Sequence, residues 1–114
     1  MKKILVLFCL TTLVVSCSQP IMYNWCDYER TSYDYYKKQS PESTQALMKT
    51  YKKMIAGEQS CQRKVVPPGI HAEYGYLLIQ NGQKDLGIDQ WRKEIESYPE
   101  SATFINRIIK LTEQ

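Results

Sequence analysis

Residues 67–101 read PPGIHAEYGYLLIQNGQKDLGIDQWRKEIESYPES, and the reading of this stretch decides the fold. A residue before proline is pushed to extended geometry, so Val66 and Pro67 are not helical, whereas Pro68 fits a helix's first turn. A helix is therefore expected from Pro68 to Asn81. Ile70, Tyr74, Leu77, Leu78 and Ile79 make it apolar on most sides, the pattern of a helix sandwiched between neighbours. Asn81-Gly82 offers the left-handed chemistry that ends helices. A second helix, expected from Lys84 to Tyr98, sets Ile88, Trp91, Ile95 and Tyr98 on one stripe and stops at Pro99. The stretch is a helical hairpin.

The same periodicity extends on both sides. Upstream, a helix is expected from Asp27 to Lys38, with Trp25, Tyr28, Tyr35 and Tyr36 supplying apolar surface. Five of the nine tyrosines lie between Tyr23 and Tyr36. A large ring with a polar tip suits either a core lid or an interface, and both readings stand. Ser40-Pro41-Glu42 ends that helix and starts another, in which Leu47, Met48, Tyr51, Met54 and Ile55 recur at spacings of three and four. Downstream, Glu100-Ser101 leads into a last helix with Phe104, Ile105, Ile108 and Ile109 on one face. Strand-like alternation of useful length is absent. The expectation is an all-α domain of about five helices over residues 27–114.

The hairpin resembles a tetratricopeptide repeat, a helix–turn–helix unit of 34 residues, here from Pro68 to about Ser101. Gly75 and Gly87 fall where small residues let two helices approach, Gly82 opens the turn, and Trp91 takes the large aromatic position. Pro99 closes the unit. Two positions depart from the pattern: His71 replaces a bulky aromatic and Glu94 a small alanine. The resemblance implies TPR-like packing in which the first helix lines a groove through Gly69, Ala72, Tyr76, Ile79 and Gln80. Tyr76 is the best partner anchor among these. The competing reading covers this face with another helix and makes Tyr76 core; the partner site would then be Tyr33, Tyr35 and Tyr36.

The N-terminus carries a different message. Lys2 and Lys3 precede an apolar run of 12 residues, Ile4 to Val15, too short for the roughly 20 that span a bilayer. Val14-Val15-Ser16-Cys17 resembles the lipobox of bacterial lipoproteins. The resemblance implies a cleaved lipoprotein signal over residues 1–16, lipidation of Cys17 and a tether over 17–26. Two or three acyl chains make a stable anchor where one holds only marginally. Ser18 following the cysteine points to the outer membrane, with the protein facing the periplasm.

Cleavage before Cys17 removes Lys2 and Lys3 from a formal net charge of +3, leaving no electrostatic footprint for nucleic acid. Lys37, Lys38, Lys49, Lys52, Lys53, Arg63 and Lys64 cluster in one region. Such a run is a solvated helix face or a surface for an acidic partner or lipid. With Cys9 in the signal and Cys17 lipidated, Cys26 and Cys61 remain. In an oxidising compartment they are a candidate disulfide, with two separate buried thiols the alternative. Together with His71, the only histidine, they show no metal-ligand spacing, so neither a metal nor another cofactor is expected.

A closer resemblance covers nearly the whole mature chain. Tyr23-x-Trp25-x-x-Tyr28, Tyr33-x-Tyr35-Tyr36-Lys37, Val66-Pro67-Pro68-Gly69, the AEYGYLL block from Ala72 to Leu78, and Tyr98-Pro99-Glu100-Ser101 are similar to blocks of a small bacterial lipoprotein family. That family carries only a domain-of-unknown-function label. The resemblance implies an envelope complex with a curli-secretion-channel-like lipoprotein as partner.

Catalysis finds little support. Glu73 is the only acid embedded in an apolar stretch, and it is expected to bond a helix end or a tyrosine hydroxyl rather than pair across a cleft. A nucleophile–base signature and a phosphate-cradling loop are both missing. The expected function is a non-enzymatic, protein-binding accessory subunit. The alternative is a small periplasmic ligand-binding or cell-wall-acting protein with a pocket near Glu73 and His71.

Overall fold

The computed structural model describes Met1, Met22, Tyr23 and residues 25–57 and 65–114. Apart from Met1, the expected signal lies outside the described residues, as do Cys17 and Cys61. Among the described residues the chain forms five α-helices and no strand. They are α1 (Tyr28–Lys38), α2 (Pro41–Ala56), α3 (Ile70–Gln80), α4 (Lys84–Ser97) and α5 (Ala102–Glu113), with a 3-10 turn at Pro99–Ser101 before α5. The fold is all-α, and no helix among the described residues is long and apolar enough to cross a membrane.

Local chemistry sets the boundaries. Gln39, at φ +48°, turns the chain out of α1. A reciprocal box then starts α2: Ser43 N–H donates to Ser40 Oγ at 3.2 Å, and Ser40 N–H donates to Ser43 Oγ at 3.1 Å. Pro41 occupies the first turn, where its missing N–H costs nothing. Glu42, in the same turn, is held below the usual carboxylate range by its own backbone N–H and then by the Ser40 hydroxyl.

The expected start of α3 at Pro68 is corrected by two residues. Gly69 adopts φ +91°, a conformation a helix cannot include, so Pro68-Gly69 form a turn and the helix begins at Ile70. Its end is as the Asn81-Gly82 pair implies. Gln83 N–H bonds the Leu78 carbonyl at 2.9 Å and Gly82 N–H bonds that of Ile79 at 3.0 Å, the two bonds of a Schellman motif around Gly82 at φ +78°.

Each helix packs on the next in sequence, and α3 against α4 is the most extensive contact. Two apolar clusters result. Leu47, Tyr51, Met54, Ile70, Tyr74, Leu77 and Leu78 join α2 and α3, with Tyr28 and Tyr35 of α1 half-buried beside them. Ile88, Trp91 and Ile105 form the second cluster between α4 and α5. The sandwiched character expected of α3 is thus present: it contributes to the first cluster, and Ala72 and Ile79 pack against the second.

The first helix divides between the two roles left open for its tyrosines. None of its residues is fully buried, Tyr33 and Tyr36 are exposed, and Trp25 lies ahead of the helix, stacked on Tyr28 at 5.4 Å. A period-3.6 stripe holds only part of a tyrosine cluster on the core side. Tyr28 and Tyr35 fall there, and their neighbours do not.

Candidate functional site

A cleft of about 170 Å³ opens where α1, α2 and α3 meet. Its chemistry centres on Glu73, whose Oε2 accepts the hydroxyls of Tyr51 at 2.7 Å and Tyr28 at 2.8 Å. Three helices deliver these groups. Tyr51 points from the apolar face of α2, Tyr28 from the first residue of α1, and Glu73 from the first turn of α3. Burial first, and then the bond to Glu73, keeps both hydroxyls protonated well above the ordinary phenol range. Both therefore act as permanent donors that fix the carboxylate's orientation. Leu47 and Leu77 supply apolar lining, while the rings of Tyr35, Tyr36 and Tyr76 complete the wall.

The opposite side of α3 has its own polar network. Glu94, 2% exposed, receives the N–H of Gly69 on Oε1 at 2.7 Å and that of Ala72 on Oε2 at 3.3 Å. Trp91 Nε1–H donates to the Ala72 carbonyl at 2.9 Å. His71 Nδ1 lies 2.8 Å from Gln90 Oε1, an atom that only accepts, so the ring donates there. Tyr98 donates to the Val66 carbonyl at 2.5 Å, tying the end of α4 to the proline connector. The Tyr98 hydroxyl is pushed up to about 12, by burial and then by its hydrogen bond with Tyr23.

The expected site residues divide between these two sides. Tyr76 is exposed at the cleft, and the exposed Gln80 one turn on donates its Nε2 to the Tyr76 hydroxyl at 2.5 Å. Ala72 and Ile79 are half-buried toward α4 and pack against the second cluster, so the expected groove is not one continuous open face. The expected pocket near both Glu73 and His71 is corrected. Two residues apart on a helix means about 200° of rotation, and His71 is buried on the α4 side, outside the Glu73 cleft. Glu73 does bond tyrosine hydroxyls, as expected.

Cys26 is disulfide-bonded, while Cys61 lies outside the described residues. Among the described residues, no three side chains of the metal-ligating types converge. Sequence reading missed Tyr28 and Tyr51 as partners of Glu73. They lie 45 and 22 residues away, and no short-range spacing encodes such a meeting.

No curated protein and no solved structure matches this chain. A family model does, over residues 22–108, and its span takes in all of α1 to α4, the connector and most of α5. The chain belongs to the family described as a domain of unknown function, DUF4810.

Proposed function

We propose that the mature chain is a lipid-anchored subunit on the periplasmic face of the outer membrane, working by binding another envelope protein rather than by catalysis. A curli-secretion-channel-like lipoprotein is the partner class that the family resemblance implies. One observation carries the binding role: Tyr36 and Tyr76 line the cleft from two helices and are still 70% and 53% exposed. Exposed rings converging around a concave surface mark contact sites, because Tyr gives large contact area for little lost entropy. The cleft is also smaller than the roughly 300–1,000 Å³ of small-molecule pockets, which favours a protein contact over a free ligand. The hairpin is read as TPR-like. The close approach of Gly75 and Gly87, with Trp91 buried beside them, supports that reading.

The test is crosslinking in intact cells followed by pull-down on the lipoprotein. Tyr76→Ala should weaken capture by roughly 2 kcal/mol or more with little change in melting temperature, since the ring is exposed. Capture that survives Tyr76→Ala, or a variant that unfolds, would move the site away from the cleft.

A further inference from the structure

We propose that the Glu73 cleft receives one cationic side chain, arginine or lysine, from the protein partner. This rests on the protein-binding reading above and adds the chemistry of the contact. The first observation is a carboxylate with half its capacity used. Both tyrosine hydroxyls bond Oε2, and Oε1 accepts no bond from the described residues. Among the described residues, neither lysine nor arginine forms an ion pair with it. The described ion pairs are Asp27 with Arg30, Asp34 with Lys38 and Asp89 with Lys93, each local to one helix or its cap residue. Glu73 thus presents a fixed negative charge whose orientation is set before any partner arrives, which lowers the entropy lost on binding.

The second observation is the wall around that charge. The rings of Tyr35, Tyr36, Tyr51 and Tyr76 line the cleft. Aromatic faces attract ammonium and guanidinium groups through their quadrupole. Tyr51 adds to this, because a phenol that donates to a carboxylate gains electron density in its ring. Two cations of α1 are already placed elsewhere: Lys37 Nζ stands 5.4 Å from the centre of the Tyr33 ring, and Lys38 bonds Asp34. The first of these shows the same pairing of cation and tyrosine on the adjoining surface of α1.

Other occupants fit worse. An acidic side chain would meet Glu73 with like charge, and an apolar one would strip water from Oε1 without replacing its hydrogen bond. A planar guanidinium can lie against a tyrosine ring while one N–H reaches Oε1, and an ammonium can do so as a point charge.

The test uses the full lipidated chain in detergent micelles, with its tyrosines replaced biosynthetically by 3-fluorotyrosine and observed by fluorine NMR. The probes are capped tripeptides with a central arginine, lysine or citrulline, the last being an uncharged isostere of arginine. The arginine and lysine peptides should shift the Tyr36 and Tyr76 resonances saturably and bind about tenfold tighter than the citrulline peptide. Glu73→Gln, which keeps an oxygen for the two hydroxyls, should erase that preference while the chain stays folded by circular dichroism, with at most a modest drop in melting temperature. Equal binding of arginine and citrulline peptides to the wild-type chain overturns the proposal, whether or not any variant folds. The cellular assay separates the two readings. Capture lost in Tyr76→Ala but kept in Glu73→Gln leaves the contact surface standing and removes the cation, whereas capture kept in both removes both.

Discussion

Glu94 stands in for the side chain that Gly69 lacks. Its carboxylate reaches across the hairpin to accept the Gly69 N–H at 2.7 Å and the Ala72 N–H at 3.3 Å. These belong to the cap position and the third residue of α3, the donors that a serine-type capping box normally satisfies within one helix. Here the cap is tertiary. Gly69 is needed for its positive φ and offers no capping oxygen, so the acceptor comes from α4. That gives position 94 a reason to hold an acid. The negative charge also sits at the positive end of α3.

Glu94→Ala should therefore destabilise the domain by about 2–4 kcal/mol, because two amide donors in a dry site lose their acceptor. Glu94→Gln retains one acceptor oxygen and should lose less. Urea unfolding followed by circular dichroism gives both values. An alanine variant as stable as wild type would remove the capping role.

Gly75→Ala tests the contact at the centre of the hairpin. An added Cβ would stand 2.7 Å from the Gly87 carbonyl oxygen and 2.6 Å from Cδ1 of the Trp91 ring. A backbone atom and a buried ring cannot yield as a flexible chain end would. The expected loss is about 1–3 kcal/mol, the range for overpacked cores. Trp91→Ala, leaving a cavity instead, should lose about 3–5 kcal/mol in the same denaturation assay.

Alkaline pH should weaken the fold through Tyr98. Its hydroxyl titrates near 10.0 when unperturbed and is pushed up to about 12 in the folded chain. The protonated form is the one the fold stabilises, so this contribution is whole below pH 10 and is lost as pH rises through 12. Unfolding free energy measured from pH 8 to 12 should fall across that window. Tyr98→Phe should make the fall shallower, with Tyr28 and Tyr51 still contributing above pH 10, and remove about 1 kcal/mol at pH 8, the net value of the Val66 hydrogen bond.

Cys17→Ala should leave an unprocessed or soluble product, whereas the wild-type chain partitions with membranes and incorporates labelled fatty acid. Unchanged processing and partitioning in the variant would remove the lipid anchor.

For Cys26, non-reducing thiol labelling of exported protein should find neither it nor Cys61 reactive. Cys61→Ser should cost roughly 3–4 kcal/mol, the scale for a closed loop of some 36 residues. A freely labelled Cys61 would assign the Cys26 bridge to another cysteine.

Most of the architecture is written locally, which is why it was legible. Ser40-Pro41, Asn81-Gly82 and Pro99 set four helix ends through their own backbone preferences, and the apolar residues of α3 and α4 follow one period. Glu73 and Glu94 show where that legibility stops. Glu73 stands in an apolar stretch and Glu94 among Arg92, Lys93 and Glu96, and neither setting names the group it will meet. One is held by Tyr28 and Tyr51 from two other helices, and the other caps a helix 22 to 25 residues upstream. The tyrosine cluster was ambiguous for the same reason. Whether Tyr35 or Tyr36 turns inward depends on how α1 is rotated about its axis on α2, a matter of tertiary packing.

The two apolar clusters share only one helix. Leu77 and Leu78 of α3 belong to the first, while Ala72 and Ile79 on its other side lean on the second. Local openings that loosen α5, or the exposed α1, can occur without disturbing the far end, but none can pass α3 without dissolving both clusters. Cooperativity in this domain is therefore unevenly distributed. Amide hydrogens at the centre of α3 should be the last to exchange with solvent, those of the outer helices should escape earlier, and the cleft lies on the boundary between the slow and fast regions.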